Sequence, residues 1–595
     1  MNRISEGIDL NIKTYMKSGK LIATMIVSVL LMIAFASLTP VGAQNTSMSQ
    51  SVFNEQASEQ LTEASLNPAW IEYEQNRTAG KAIIATTAEG NSMGYIPSPV
   101  DLSHLKGKIS LSATETYPSY YDLRTADPSK VTSVKDQGAY GTCWAFATFG
   151  SLESYLMPEE RDFSEYNLAT QSGFDYAWDD GGQLLMSTAY LGRWSGPVNE
   201  NDDPYPSNGV QSETDNTYAS TIQKHTQDVY FLDNSNIKWG LMNYGGVGVA
   251  FNWNSAYYNA TSKSYYNPSA TAANHAVTIV GWDDNYAGTN FIGSPANGAF
   301  IVKNSWGTSW GESGYFYLSY YDASLNSATV FTAEPTSNYG AVYQYDPLGY
   351  VGSYGFSSTT AWGANVFTAD NSAAPLTAVS FYTNDVNTKY EIYIYTNPNS
   401  GPIGGTKNIG PKGTMPMAGY HTVKLTSPIS LSAGQRFSVV VKYTTSTYRY
   451  PLVAEYALAG YSSKATASRG QSYISSNGIS WTDLTTYKST ANICIKAFTS
   501  VVTNNPPQTP SQPQGPTSSK RGVTCSYTTS TTDPDGDRVK YTFDWGDGKT
   551  STTEYNTASA THTWLKRGSY YVKAMATDEH GAISGWSTGL KVTIS

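Results

Sequence analysis

Four residues of this 595-residue chain have the types and surroundings for nucleophilic chemistry: Gln137, Cys143, His275 and Asn304. Cys143 sits in Gln137-Gly138-Ala139-Tyr140-Gly141-Thr142-Cys143-Trp144-Ala145-Phe146-Ala147. Downstream, Ala145, Phe149, Leu152 and Leu156 recur at helical spacing before Pro158, so Cys143 is expected to open a helix. A helix N-terminus offers free amide donors and a positive dipole end, which favour thiolate over thiol. Gln137 supplies an amide that can join the Cys143 backbone N–H in an oxyanion hole. His275 heads the apolar stretch Ala276-Val277-Thr278-Ile279-Val280-Gly281-Trp282, and Asn304 follows Ala299-Phe300-Ile301-Val302-Lys303. A protonated His275 would stabilise the thiolate, and the Asn304 side-chain oxygen would hold the imidazole without a second buried charge. Singly, each has a bland reading as core cysteine, core histidine or turn asparagine. Together they point to acyl transfer through a thiolate.

The elements that must position these residues fall between Tyr117 and about Ala333, where helical and strand patterns mix. Before them, residues 44–116 are polar, mostly lack periodicity and contain the turn-rich Met93-Gly94-Tyr95-Ile96-Pro97-Ser98-Pro99, so they read as a leader. After them, alternating runs such as Tyr390-Glu391-Ile392-Tyr393-Ile394-Tyr395 and Phe437-Ser438-Val439-Val440-Val441 predict an all-β sandwich over residues 335–502. Residues 503–519 hold Pro506, Pro507, Pro510, Pro513 and Pro516 and read as a stiff linker; residues 520–595 alternate again and read as a small immunoglobulin-like sandwich. At the other end, Arg3, Lys13, Lys17 and Lys20 precede the apolar run Leu21 to Leu38 and the small-x-small Val41-Gly42-Ala43. Residues 1–43 therefore read as an export signal or, if uncleaved, as the one segment that could anchor the chain in a membrane.

A net charge of -10 with 14% charged residues argues against nucleic acid as a partner. Three cysteines in an exported chain suggest a disulfide, but Cys494 and Cys525 flank the proline-rich stretch and none is expected. Neither a cofactor nor a metal is expected: Asp533, Asp535 and Asp537 alternate like a calcium loop but lack its closing glutamate, and read as turn residues.

These segments resemble the papain and cathepsin family of cysteine peptidases, whose signature cysteine is followed by histidine and asparagine about 130–150 residues downstream. The resemblance implies an α+β papain-like catalytic domain, with a helical half and a β-barrel-like half, over residues 117–334, followed by two all-β sandwich domains. It makes Cys143 the nucleophile, His275 the base, Asn304 the orienting amide and Gln137 the oxyanion glutamine. It also implies that Trp306 and Trp310 shield the histidine–asparagine contact, and that Gly181, Gly182, Asn274, Ala276, Trp306 and Trp310 lie at the substrate cleft, the glycine pair on its non-prime side. Tyr140 and Asp179 stand where the family has a disulfide, and Thr142 replaces the usual Ser or Ala. Tyr117-Pro118-Ser119-Tyr120-Tyr121-Asp122-Leu123-Arg124 resembles a mature N-terminus, which implies an inhibitory role for the leader. Residues 335–502 resemble a lectin-like domain, and residues 520–595 resemble a PKD-type module through Asp533-Pro534-Asp535-Gly536-Asp537 and Phe543-Asp544-Trp545-Gly546-Asp547-Gly548.

The expected function is an exported cysteine endopeptidase, secreted or at a cell surface, acting on proteins or peptides; the alternative is a surface adhesion protein on a silent scaffold. Glycans are a second class of expected partner if Tyr345, Tyr350, Tyr354, Trp362, Tyr390, Tyr393, Tyr395, Tyr448 and Tyr450 present faces to sugars, against which stands their use as core or cross-strand pairs.

Overall fold

The computed structural model describes residues 60–81, 85–108, 116–126, 128–206, 221–371, 374–501 and 504–595. The apolar N-terminal run lies outside them, and among the described residues no helix is long and apolar enough to cross a membrane.

The leader, despite its weak patterning, contains helix α1 (Pro68–Thr78), started by Pro68 and by the Asn67 side chain, which accepts from the Ala69 N–H at 3.0 Å. Its buried Trp70 packs edge-on against Tyr461 of the lectin-like region, 6.4 Å between ring centres. Helix α2 (Cys143–Leu156) is buried along most of its length and packs with α3 (Glu165–Thr170) and α4 (Leu184–Gly192) to form the helical half. The β half follows, with helix α5 (Ile237–Tyr244) against it. Its central strands run, in spatial order, Lys224–Leu232, Asn326–Pro335, Val247–Phe251, His275–Asp283, Ala299–Lys303 and Tyr315–Ser319. The strand His275–Asp283 is buried at all but its last residue, because helix α2 also packs against it, which explains its continuous apolar run.

The lectin-like region is not a separate bead. Its strand Ala418–Ile429 pairs with the peptidase strand Lys224–Leu232 through Ala418↔Phe231, Gly419↔Tyr230 and Tyr420↔Val229, so one 13-stranded sheet runs through both regions. A Cβ at Gly419 would meet the Val229 carbonyl oxygen at 1.9 Å, so only glycine allows this approach. One buried cluster accordingly includes Trp70, Phe149, Leu184, Phe381 and Tyr461. The remaining lectin-like strands form a six-stranded sheet, and a four-stranded sheet in which the leader strand Thr62–Glu63 pairs with Gly352–Gly355.

Two expectations change. None of the nine aromatics weighed as sugar platforms is exposed: Tyr350 and Tyr354 are buried and the rest are half-buried. Several pack on their own sheet, as Tyr345 does on Phe367 at 4.9 Å. The proline-rich stretch is extended but does not hang free. Gln508, Ser511 and Gln514 donate their N–H groups to the carbonyls of Thr532, Ser530 and Thr528, and Ser518–Ser519 pairs in parallel with Leu590–Ile594. The prolines thus occupy an edge of the last domain, the place in a sheet where a missing N–H costs least. Trp545 and Trp564 fill that domain's core.

Candidate active site

Cys143 is the first residue of α2, His275 the first of its strand, and Asn304 directly follows the strand Ala299–Lys303. His275 Nε2 lies 2.8 Å from Asn304 Oδ1, which also accepts the Ser305 N–H at 2.9 Å. The second contact fixes Oδ1 as the acceptor, so Nε2 carries the ring proton and Nδ1, buried without a hydrogen-bond partner, is left as the basic nitrogen. The Trp306 ring stacks on His275 at 4.5 Å, and Trp310 meets Trp306 edge-on at 5.0 Å. Trp306 therefore covers the histidine and Trp310 backs Trp306, in a buried cluster that also takes in the leader's Met93.

Gln137 is fully buried, and its amide is fixed at both ends. Oε1 accepts from the Ser305 hydroxyl at 2.6 Å, while Nε2 donates to the carbonyls of Ser92 and Tyr140, both at 2.9 Å. Ser305, beside Asn304, thus orients the glutamine, a role its type and position in the sequence did not signal.

Ser92 belongs to the leader, which threads the cleft. The Gly94 N–H and the Ala276 N–H both donate to Cys143 Sγ at 3.3 Å. Tyr95 N–H donates to Asn274 O at 3.0 Å, Gly182 N–H to Gly94 O at 2.9 Å, and Ile96 N–H to Gly182 O at 3.0 Å. Gly182 and Asn274 therefore hydrogen-bond the leader's backbone, Gly181 lies close against Gly94 O and Ile96, and Ala276 reaches the sulfur instead. Glycine is required on both sides: a Cβ at Gly182 would meet Trp144 at 2.3 Å, and one at Gly94 would meet Gly141 O at 2.0 Å.

With the leader in place, Cys143 and His275 are both fully buried. Burial pushes the Cys143 thiol up to about 12, opposed by the amides of Ala276 and Gly94, and pushes His275 down to about 4, opposed by Asn304. With the cleft filled, both groups are neutral at physiological pH.

Behind the site, Lys135 bridges Glu153 at 3.0 Å, Asp162 at 2.7 Å and Glu165 at 2.9 Å, tying the loop that leads into Gln137 to helices α2 and α3. Thr132 donates to Glu153 at 2.6 Å, and Lys303 donates to Thr132 at 3.1 Å, so the network reaches across to the β half. Where the family has a disulfide, Tyr140 packs its ring against Trp178 at 4.6 Å, joining the same two loops; Cys143, Cys494 and Cys525 are free and buried. Among the described residues, Asp533, Asp535 and Asp537 bring carboxylate oxygens within 4.8 Å of one another, far along the chain in the last domain and largely exposed.

Comparison with known proteins agrees with this anatomy. Family profiles match in the order papain family cysteine protease over residues 117–332, lectin like domain over 342–499 and PKD domain over 509–588. The viral cathepsin of Adoxophyes honmai nucleopolyhedrovirus is 32% identical over 210 residues, 33% of this chain and 56% of the relative, so the chain spans little more than half of that protein. Digestive cysteine proteinase 2 of Homarus americanus is 31% identical over 239 residues, 38% of this chain and 68% of the relative. Among solved structures, the cysteine protease and lectin-like domains of Cwp84, a surface layer associated protein of Clostridium difficile, superpose with a TM-score of 0.63 at 27% identity, over 74% of this chain and 98% of that one. With the Homarus americanus relative matched at 31% identity across 68% of its length, and the papain family profile matched over residues 117–332, the chain belongs to the papain family of cysteine proteases.

Proposed function

We propose that the chain is an exported cysteine endopeptidase made as a latent precursor, hydrolysing peptide bonds through Cys143, His275, Asn304 and Gln137, with its β domains serving attachment at a cell surface or glycan. The observation that carries this reading is the leader itself, an extended peptide whose backbone is hydrogen-bonded to Gln137, Sγ, Asn274 and Gly182. A cleft that holds one peptide by its main chain is built to hold others, whatever their side chains. In the reaction the Cys143 thiolate adds to the scissile carbonyl carbon and the oxyanion gathers on Gln137 Nε2 and the Cys143 N–H. His275 then gives its Nδ1 proton to the departing amine, and the thioester is hydrolysed by a water that the same nitrogen deprotonates. Asn304 Oδ1 keeps the ring in the tautomer that leaves Nδ1 free for both steps.

The leader escapes this chemistry by lying backwards. On the family's pattern, acyl-side residues of a substrate run along Gly181 and Gly182; here those places are taken by residues that follow Ser92, and Tyr95 bridges Gly182 in parallel. Reversal puts an amide N–H, that of Gly94, at the sulfur where a substrate would put its carbonyl carbon. The surface role draws on the surface-layer association of the Cwp84 relative.

The test is hydrolysis of a fluorogenic peptide mixture, with labelling by a thiol-reactive peptidyl epoxide, after proteolytic removal of the leader from the folded chain. Absence of both turnover and label would overturn the reading in favour of adhesion alone. In active material, Gln137→Ala is expected to lower kcat by about 10²–10³-fold with KM little changed, because its amide is needed most when the oxyanion forms.

A further inference from the structure

The leader covers a second place besides the cleft. At its C-terminal end the His104 ring lies flat on Tyr448 of the lectin-like region, 3.7 Å between ring centres and 3° between planes. His104 Nε2 is 2.6 Å from the Asn384 carbonyl oxygen, to which it donates. Four residues on, the Lys108 ammonium is held by the Asp385 carboxylate and, at 2.8 Å, by the Thr447 hydroxyl. A flat ring on an aromatic face, with hydrogen-bond donors turned to a carbonyl, a carboxylate and a hydroxyl, is a demanding arrangement to build merely to hold a strap down.

The surface beneath is also held by contacts of its own. Asp385, with its side chain fully buried, accepts at Oδ2 from the Ser446 hydroxyl at 2.7 Å and from the N–H groups of Thr447 at 2.9 Å and Tyr448 at 3.1 Å. Burial would raise its carboxyl, but Lys108, Ser446 and these amides hold it down to about 2. Asn384, also buried, donates from Nδ2 to Tyr450 O at 2.7 Å and to Ser353 Oγ at 3.1 Å. The segment Ser446–Tyr450 is thus fixed by contacts wholly within the lectin-like region, and Tyr448 is further braced by Tyr450, with ring centres 5.5 Å apart. Removing His104 and Lys108 would uncover a rigid aromatic platform rimmed by acceptors: Asp385 Oδ1, the Asn384 carbonyl and the Thr447 hydroxyl.

We propose that this is a saccharide-binding site, masked by the leader in the precursor: a pyranose lays its C–H face on Tyr448 and points hydroxyl or amino donors at Asp385, Asn384 and Thr447. The chemistry follows from the surface. An apolar ring face selects a flat, partly apolar ligand; a ring of acceptors selects one rich in donors; and a pyranose carries both on opposite aspects. The proposal gives a place and a chemical class to the attachment role proposed above and rests on that part of the reading. It also couples the two functions, since one leader covers both the catalytic sulfur and the sugar platform.

The test uses the full-length chain, with His104→Ala and Lys108→Ala unmasking the platform while the leader stays in the cleft. Calorimetric titration with methyl glucoside, glucosamine, N-acetylglucosamine and galactose is expected to show saturable binding of at least one sugar by the unmasked chain and none by the native precursor. Adding Tyr448→Ala should weaken that binding by about tenfold or more. No binding to an unmasked chain whose Tm is unchanged would overturn the proposal and leave the surface as an anchor for the leader only. Equal binding by the native precursor would overturn the masking. Peptide hydrolysis, measured separately on leader-free material, reports on the peptidase reading whichever way the sugar titrations fall.

Discussion

Replacing Cys143 by alanine in leader-free material is expected to abolish peptide hydrolysis, lowering kcat by at least about 10⁴-fold, while non-covalent binding of a product peptide is weakened far less. The asymmetry follows from who holds the substrate. The leader's main chain is held by Gly182 and Asn274, neither of which depends on the sulfur, and a bound peptide is expected to use the same groups. Deleting Sγ removes the bond-forming atom and leaves the cleft's grip. His275→Ala should fall nearly as far in kcat, because the thiolate then loses its counter-charge and the leaving amine loses its proton donor. Residual hydrolysis in Cys143→Ala within tenfold of the native rate would mean that another nucleophile does the work.

Removing the leader is expected to raise kcat/KM by about 10³-fold. A tethered occupant acts at an effective concentration of about a millimolar, so even micromolar intrinsic affinity leaves roughly one cleft in a thousand open. Alkylation by iodoacetamide should follow the same logic, with a sign that can be worked out beforehand. In the precursor, with the thiol near 12 and the imidazole near 4, the neutral pair persists between those values and alkylation rises only as pH climbs toward the upper one. Once water returns to the cleft, the α2 dipole and a charged His275 favour thiolate, and alkylation should persist into mildly acid solution. An unchanged alkylation profile after leader removal would show that something other than desolvation silences the thiol. A milder route is Gly94→Leu: its side chain cannot pass Gly141, so the strap should lift over the sulfur and the full-length chain gain partial activity.

The residues proposed as catalytic are legible because each combines a restricted type with a restricted place: a cysteine where a helix must begin, a histidine at the head of a buried strand, an asparagine just past another. The leader's grip is not, because it works through backbone groups, which leave no trace in residue type. Only Gly94 hints at it, and a glycine has many uses. The Lys135 network hid for another reason: Lys135, Glu153 and Glu165 look like surface charge in sequence and become a largely buried set, with Asp162 at its exposed rim, only once α2, α3 and the loop before Gln137 converge. Which of the nine aromatics stand exposed is not legible, because period-two alternation tells which residues share a face of a strand and not whether another layer covers it. Tyr448 kept its aromatic face at a surface that the leader then took, which no local pattern can announce.

The strand pairing between Ala418–Tyr420 and Val229–Phe231 means that the matched regions are units of descent rather than units of folding. A chain cut after Pro335 would leave the strand Lys224–Leu232 at a raw sheet border, its outward N–H and C=O groups free to recruit another chain. A peptidase expressed that way is therefore the wrong reagent for asking what the lectin-like region contributes, since clumping would imitate loss of a ligand. The same seam makes heat capacity a diagnostic: residues 60–501 should melt in one endotherm, with the last domain free to give a second.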